Sequence, residues 1–292
     1  MVARLLGLLD AVVCCPLTQM AKEPCLTLQQ LKNGGSGQSE LCLELITSPL
    51  GLLSALVTAT SGLERGVSGE ITSTKRCAEV PFGAELVSVS FLVLHMITRA
   101  ARQRLDVLHQ ALAGEGARAE FQFVCDRLLT SFTQAVANVS GEGSHVHVLG
   151  DSRGDTEAAL AELVTLLGYF CLGNEQHQDM LLFNHPHTLL LRLCSLPFRY
   201  FTHDHLKDVL FPALIAACLG NEPSRALVER EVSAELLATY LAKHLQEREA
   251  SEESAEPAGN VTPSQWIKLS HRLPAELWDD AFLFLTEQVK SY

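Results

Sequence analysis

Cys171-Leu172-Gly173-Asn174-Glu175 recurs 47 residues later as Cys218-Leu219-Gly220-Asn221-Glu222. Each copy closes an apolar stripe with helical spacing. Leu160, Leu163, Val164, Leu167, Phe170 and Cys171 fall at i, i+3, i+4 and i+7 before the first copy, on one helix face that Gly173 and Asn174 terminate. Leu206, Val209, Leu210, Ala213, Leu214 and Ala217 form the matching stripe before Gly220. At the same offset Leu163 aligns with Leu210, Leu167 with Leu214, Met180 with Leu227, Leu189 with Leu236 and Leu190 with Leu237.

A period of about 40 to 47 residues belongs to HEAT and armadillo units, whose helices bury an apolar face only by stacking on neighbouring units. The expected fold is therefore all-α, an armadillo/HEAT-like stack of helical hairpins, or α-solenoid. Working outward, Phe121, Val124, Leu128, Phe132, Val136 and Val139 make another stripe, with Gly141 as its stop. Val228, Val232, Leu236, Tyr240 and Leu241 make one more. Pro212 must kink or restart the helix it lies in, because its ring removes an amide donor and clashes one turn back. Met1 to Cys15, Leu41 to Val57 and a long segment from Ala84 to Ala113 also read as helical.

These signals divide the chain. Residues 1–140 read as an N-terminal helical part, 141–154 as a Gly-rich loop and 155–246 as the C-terminal repeats, with Asp155 as a helix N-cap. Residues 247–261 form an acidic linker without large apolar side chains. In 262–292 a helical pair follows, opened by Thr262-Pro263-Ser264-Gln265 and closed by a helix carrying Leu277, Trp278, Phe282 and Leu285.

Of the 292 residues, 47% are hydrophobic, which excludes global disorder. The formal charge of −12 argues against general nucleic-acid coating, which needs a surplus of Lys and Arg. Nine cysteines, an odd number without any C-x-x-C, lie mostly in apolar helical stretches and read as reduced core thiols. That points to a cytosol-facing location, with the nucleus as the alternative. Asp10 interrupts the apolar start, against a secretory leader. The apolar run from Leu86 to Ile97 is too short to span a bilayer and reads as a buried helix.

Candidate chemistry is sparse. The pairs His145 and His147, His185 and His187, and His203 and His205 lack a partnering Cys pair or H-E-x-x-H, so surface or capping roles are expected. No cofactor is expected. A thiol- or metal-dependent hydrolase is the enzymatic alternative, but Cys125, Cys171, Cys194 and Cys218 sit in apolar patterns that do not activate a thiol. Arg99 and Arg102, three apart on a helix, are candidates for contact with RNA or an acidic partner. Thr262, beside the linker and followed by Pro263, is a candidate phosphosite, because added negative charge at an N-cap favours the helix it opens.

Leu166-Leu-Gly-Tyr-Phe170, Leu190-Leu-Arg-Leu-Cys-Ser-Leu-Pro-Phe-Arg-Tyr-Phe201, Asp208-Val-Leu-Phe-Pro-Ala-Leu-Ile-Ala-Ala-Cys218 and Leu236-Leu-Ala-Thr-Tyr240 together resemble one family over roughly residues 155–245. The stretch is similar to the C-terminal region of the family of the S phase cyclin A-associated protein in the endoplasmic reticulum. That resemblance implies a non-enzymatic regulator at the endoplasmic reticulum, binding cyclin A with its cyclin-dependent kinase and restraining it in the cytoplasm. It also implies a C-terminal adaptor in ribosome-linked control of tubulin messages. Members are far longer, with coiled-coil stretches and a zinc finger that this sequence does not show, so the resemblance implies a fragment or truncated product.

The expected function is that of a helical scaffold whose surface holds another protein. Leu196-Pro-Phe-Arg-Tyr-Phe201 is the expected contact region, because an Arg flanked by aromatics between two helices is a common interface anchor. Arg199, Tyr200 and Lys207 form the candidate contact set.

Overall fold

A computed structural model describes residues 46–58 apart from 48 and 56, then 84–139, 152–183, 188–253 and 275–286. All belong to one compact unit, Leu43–Tyr292. Among the described residues every regular element is a helix, so the all-α expectation holds. After a helical stretch within 46–58 the elements are α1 (Ala84–Gln103), α2 (Leu105–Ala111), α3 (Glu115–Val139), α4 (Ser152–Cys171) and α5 (Glu175–Leu181). They continue as α6 (Leu189–Cys194), α7 (Arg199–Thr202), α8 (Asp204–Cys218), α9 (Glu222–Glu231), α10 (Ala234–Glu253) and α11 (Ala275–Thr286).

The stripe that ends at Cys171 makes α4 the central element, packed by α1, α3 and α8. Leu160, Leu163, Val164, Leu167, Phe170 and Cys171 are all buried, as are Leu206, Val209, Leu210, Ala213, Leu214 and Ala217 of α8. Where α4 crosses α8, Gly168 permits close approach: a Cβ there would lie 3.2 Å from Ala213 Cα and 3.3 Å from its Cβ. The third stripe is likewise core, with Phe121, Val124, Leu128, Phe132 and Val136 buried in α3. Arg192 ties α6 to α3, donating through Nη1 to Thr130 Oγ1 and pairing with Asp126 at 3.3 Å.

The repeated pentapeptide is one local structure used twice. In each copy the glycine takes a left-handed conformation, φ 65° at Gly173 and 78° at Gly220, which ends the helix before it. Asn174 N donates to Cys171 O at 3.2 Å, and Asn221 N to Cys218 O at 2.9 Å. Each Asn then caps the next helix: Asn174 Oδ1 accepts from His177 N at 3.2 Å, and Asn221 Oδ1 from Ser224 N at 2.9 Å. Cap residues and glycine stop thus convert a 47-residue spacing into two hairpins of like design, α4–α5 and α8–α9.

Several boundaries differ from expectation. The segment from Ala84 to Ala113 is two helices, broken at Arg104 (φ −144°, ψ 78°). Val228 to Leu241 is also two helices, because Ser233 adopts φ 82°. Pro212 lies inside α8 without ending it. The helix expected to open at Asp155 begins at Ser152, leaving Asp155 in its first turn, where a carboxylate complements the dipole. At the other end α10 runs on to Glu253, so the first part of the acidic stretch is helical rather than linker. Glu, Ala and Arg are good helix formers, and Lys243 pairs with Glu247 one turn on at 3.8 Å.

Candidate functional site

The contact region begins where α6 ends. Phe198, the residue before α7, is 80% exposed, and Arg199 opens that short helix. Arg199 Nη2 pairs with Glu157 of α4 at 3.1 Å, while its Nη1 is buried without a hydrogen-bond partner. Tyr200 is a correction to the contact set: it has 0% exposure and is a core residue, because the turn of α7 that presents Phe198 outward carries Tyr200 inward. Burial, followed by the nearby Glu157 charge, pushes its hydroxyl well above the ordinary tyrosine range. Lys207, on α8, is partly exposed and pairs with Asp204 at 3.4 Å.

Lys207 also lines a cleft of about 430 Å³ between the first half of α8 and α10. From α8 come Asp204, His205, Lys207, Asp208 and Phe211; from α10 come Leu236, Thr239, Tyr240, Lys243, His244 and Glu247. The α10 residues recur at i, i+3, i+4, i+7, i+8 and i+11, so one helix face supplies the whole wall. At its centre Tyr240 Oη donates to Asp208 Oδ1 at 3.1 Å, and His244 Nε2 lies 3.4 Å from the same oxygen. His244 Nδ1 faces Glu247 Oε2 at 3.2 Å, placing the ring between two carboxylates. Burial first, then the Asp208 charge, drives the Tyr240 hydroxyl far above its ordinary value, so it stays a donor. Trp278 of α11 braces the cluster, with ring centroids 5.5 Å from His244 and 6.5 Å from Tyr240.

The described thiols are chemically quiet. Cys125, Cys171, Cys194 and Cys218 are free and buried. Burial pushes Cys194 and Cys218 up to about 12, and Cys125 and Cys171 are also raised mainly by burial. Such thiols supply no thiolate at neutral pH. Among the described residues no group of three or more His, Cys, Asp or Glu side chains could hold a metal ion. His203 is the N-cap residue of α8 without a side-chain cap bond, and His205 is exposed beside it; His145, His147, His185 and His187 lie outside the described residues. No described helix is long and apolar enough to cross a membrane.

Arg99 and Arg102 are both exposed on α1, and Thr262 lies outside the described residues. Sequence reading missed Asp208, Tyr240, His244 and Glu247 as a group, since they come from two helices that only the tertiary fold brings together. It also missed Gln178, whose Nε2 donates to the carbonyls of Ala216 and Leu219 at 2.8 and 3.0 Å. The 47-residue register offered a signal, because both hairpins place a polar side chain at that position, Gln178 and Arg225, and both are buried.

No protein-family model matches this chain. The chain is similar to the human S phase cyclin A-associated protein in the endoplasmic reticulum, with 35% identity over 136 residues. The match covers 46% of this chain but only 10% of that much longer relative, so the likeness is to one region of it. This chain therefore holds a region similar to the S phase cyclin A-associated protein in the endoplasmic reticulum.

Proposed function

We propose that the chain is a non-enzymatic helical adaptor built of armadillo/HEAT-like stacked hairpins. The observation that carries this is the Gln178 contact, in which the short helix of one hairpin closes the end of the next hairpin's long helix. Stacking of that kind extends by repetition and leaves an outer surface free for a partner. By its similarity to a protein named for association with cyclin A and for the endoplasmic reticulum, the chain binds cyclin A with its cyclin-dependent kinase, or a ribosome-associated partner. It does so on the cytosolic side of that organelle. The partner surface includes Phe198, Arg199 and Lys207. Phe198 offers exposed aromatic area, and the partly exposed Arg199 places a guanidinium beside it. Phosphorylation of Thr262 regulates the assembly by adding negative charge next to the acidic stretch.

The test is binding of a purified cyclin A–kinase complex to the immobilised chain, with Arg199→Glu and Phe198→Ala variants checked for unchanged helicity. Saturable binding weakened roughly tenfold or more by either change supports the reading. Undiminished binding moves the partner surface elsewhere, and absence of binding to the intact chain, to cyclin A or to ribosomes, removes the adaptor role.

A second reading is RNA contact through Arg99 and Arg102, which are three apart and both exposed on α1. It requires affinity that falls steeply with salt and is reduced by Arg99→Ala and Arg102→Ala.

A further inference from the structure

The carbonyls at the end of α4, from Gly168 to Cys171, have no donor within the helix. Leu172 N donates to Gly168 O at 3.1 Å and Asn174 N to Cys171 O at 3.2 Å. The two carbonyls between them are taken by histidines from different helices. His109 of α2 donates through Nε2 to Tyr169 O at 3.2 Å, and His177 of α5 through Nδ1 to Phe170 O at 2.9 Å. The two rings meet edge to face with centroids 5.1 Å apart. The next residue on α5 is Gln178, whose side chain closes the end of α8. One seven-residue helix thus grips the end of α4 with one residue and the end of α8 with the next.

A proton on His177 finds little to compensate it. The ring is 1% exposed, and the charged groups that act on it, His109 from α2 and Arg118 from α3, both oppose a further positive charge. On α5 itself Glu175 and Asp179 stand two positions away, about 200° round the helix, and Asp179 accepts from Asn221 Nδ2 at 2.8 Å. Asp106, one turn before His109, is held by Arg104 at 2.7 Å. From α4 the ring meets Phe170, stacked at 4.1 Å. Burial holds its proton affinity below the ordinary value of 6.5, against the pull of the Phe170 carbonyl. Opening the joint returns the ring to water and to that ordinary value. Acid therefore favours the open form, and the joint, closed above about pH 6.5, loosens as pH falls below it.

We propose that His109 and His177 form an acid-sensitive latch, in which protonation of His177 frees α5 from the end of α4 and withdraws Gln178 from α8, loosening the stack between the two hairpins. The proposal rests on the stacked-hairpin reading and adds its regulation. Adjacency couples the two contacts: α5 is too short for His177 to leave its carbonyl while Gln178 keeps both of its own. The response is local, because α3 packs on α4 through other residues, Phe121 and Phe170 among them at 4.6 Å between centroids.

The experiment follows the full chain by NMR from about pH 7.5 to about pH 5.5, with glutamine side-chain amides and histidine rings isotopically labelled. Gln178→Ala and His177→Gln assign the two signals. The Gln178 amide is expected to leave its hydrogen-bonded position at the midpoint of the His177 ring, while Gln134 on α3 does not move. His109→Gln, which removes one facing charge and keeps a donor, is expected to move both midpoints to higher pH. His177→Gln is expected to abolish the Gln178 response, and the half-buried His109 position keeps the test open should that variant unfold. A Gln178 signal indifferent to pH overturns the latch. So does a response retained in folded His177→Gln, midpoints unmoved by His109→Gln, or loss of all glutamine signals together. A Gln178 amide already solvated at about pH 7.5 defeats the stacked-hairpin reading too, whereas a joint that persists without pH response defeats the latch alone.

Discussion

Gln178 of α5 donates from one amide nitrogen to the carbonyl oxygens of Ala216, at 2.8 Å, and Leu219, at 3.0 Å. Both acceptors lie at the C-terminal end of α8, where carbonyls lack intrahelical donors. One side chain from the first hairpin therefore satisfies the frayed end of the second. Asn221 returns a contact, its Nδ2 donating to Asp179 Oδ1 at 2.8 Å.

Replacing Gln178 with Ala strands buried carbonyls at that joint. The expected cost is about 1–3 kcal/mol, read as a lower urea midpoint with an unchanged slope. An unaltered midpoint would mean that the joint contributes no stability.

Gly168→Ala tests the α4–α8 crossing. Its new Cβ would meet backbone of Ala213 at 3.2 Å, too close to be relieved by a side-chain rotation. Overpacking of that kind costs about 1–3 kcal/mol. Gly116→Ala, where nothing lies within 4 Å, is the control and should be neutral or mildly stabilising.

His177 gives a pH signature. Its ring stacks on Phe170 with centroids 4.1 Å apart, and Nδ1 donates to Phe170 O at 2.9 Å. Burial holds it below its ordinary value of 6.5. The unfolded chain therefore takes up this proton first as pH falls, and stability drops from about pH 6.5 downward until the folded ring itself protonates. His177→Phe should be less stable at pH 7, and its deficit relative to the intact chain should shrink toward pH 5.5. A deficit constant with pH would show that burial of this ring is not linked to its proton.

Thiol reactivity separates the adaptor from the hydrolase. With Cys194 and Cys218 pushed up to about 12 by burial, iodoacetamide at neutral pH should leave Cys125, Cys171, Cys194 and Cys218 unmodified until urea is added. Rapid native labelling of any one of them, followed by peptide mass spectrometry, would restore the enzymatic reading.

The helices were legible in the sequence because their apolar stripes follow the helical period, and the pentapeptide repeat located two helix stops to the residue. Breaks that depend on backbone conformation were less so. Ser233 at φ 82° sits inside an unbroken apolar pattern, and nothing in the side-chain order distinguishes it from a helical residue. Leu236 shows the limit of register: its partner at the 47-residue offset, Leu189, is buried, while Leu236 stands on the cleft wall. Tyr200 and Phe198 share one aromatic run, and only packing decides which ring faces solvent. The Asp208, Tyr240 and His244 cluster needed the tertiary fold, since residues 32 and 36 positions apart leave no common motif.

Amide hydrogen exchange of the chain, with and without saturating purified cyclin A–kinase complex, tests the adaptor account most directly. Added protection is predicted over residues 198–211, with α3 and α4 unchanged. A complex that forms without protecting that stretch, or that protects only α1 around Arg99 and Arg102, would contradict it.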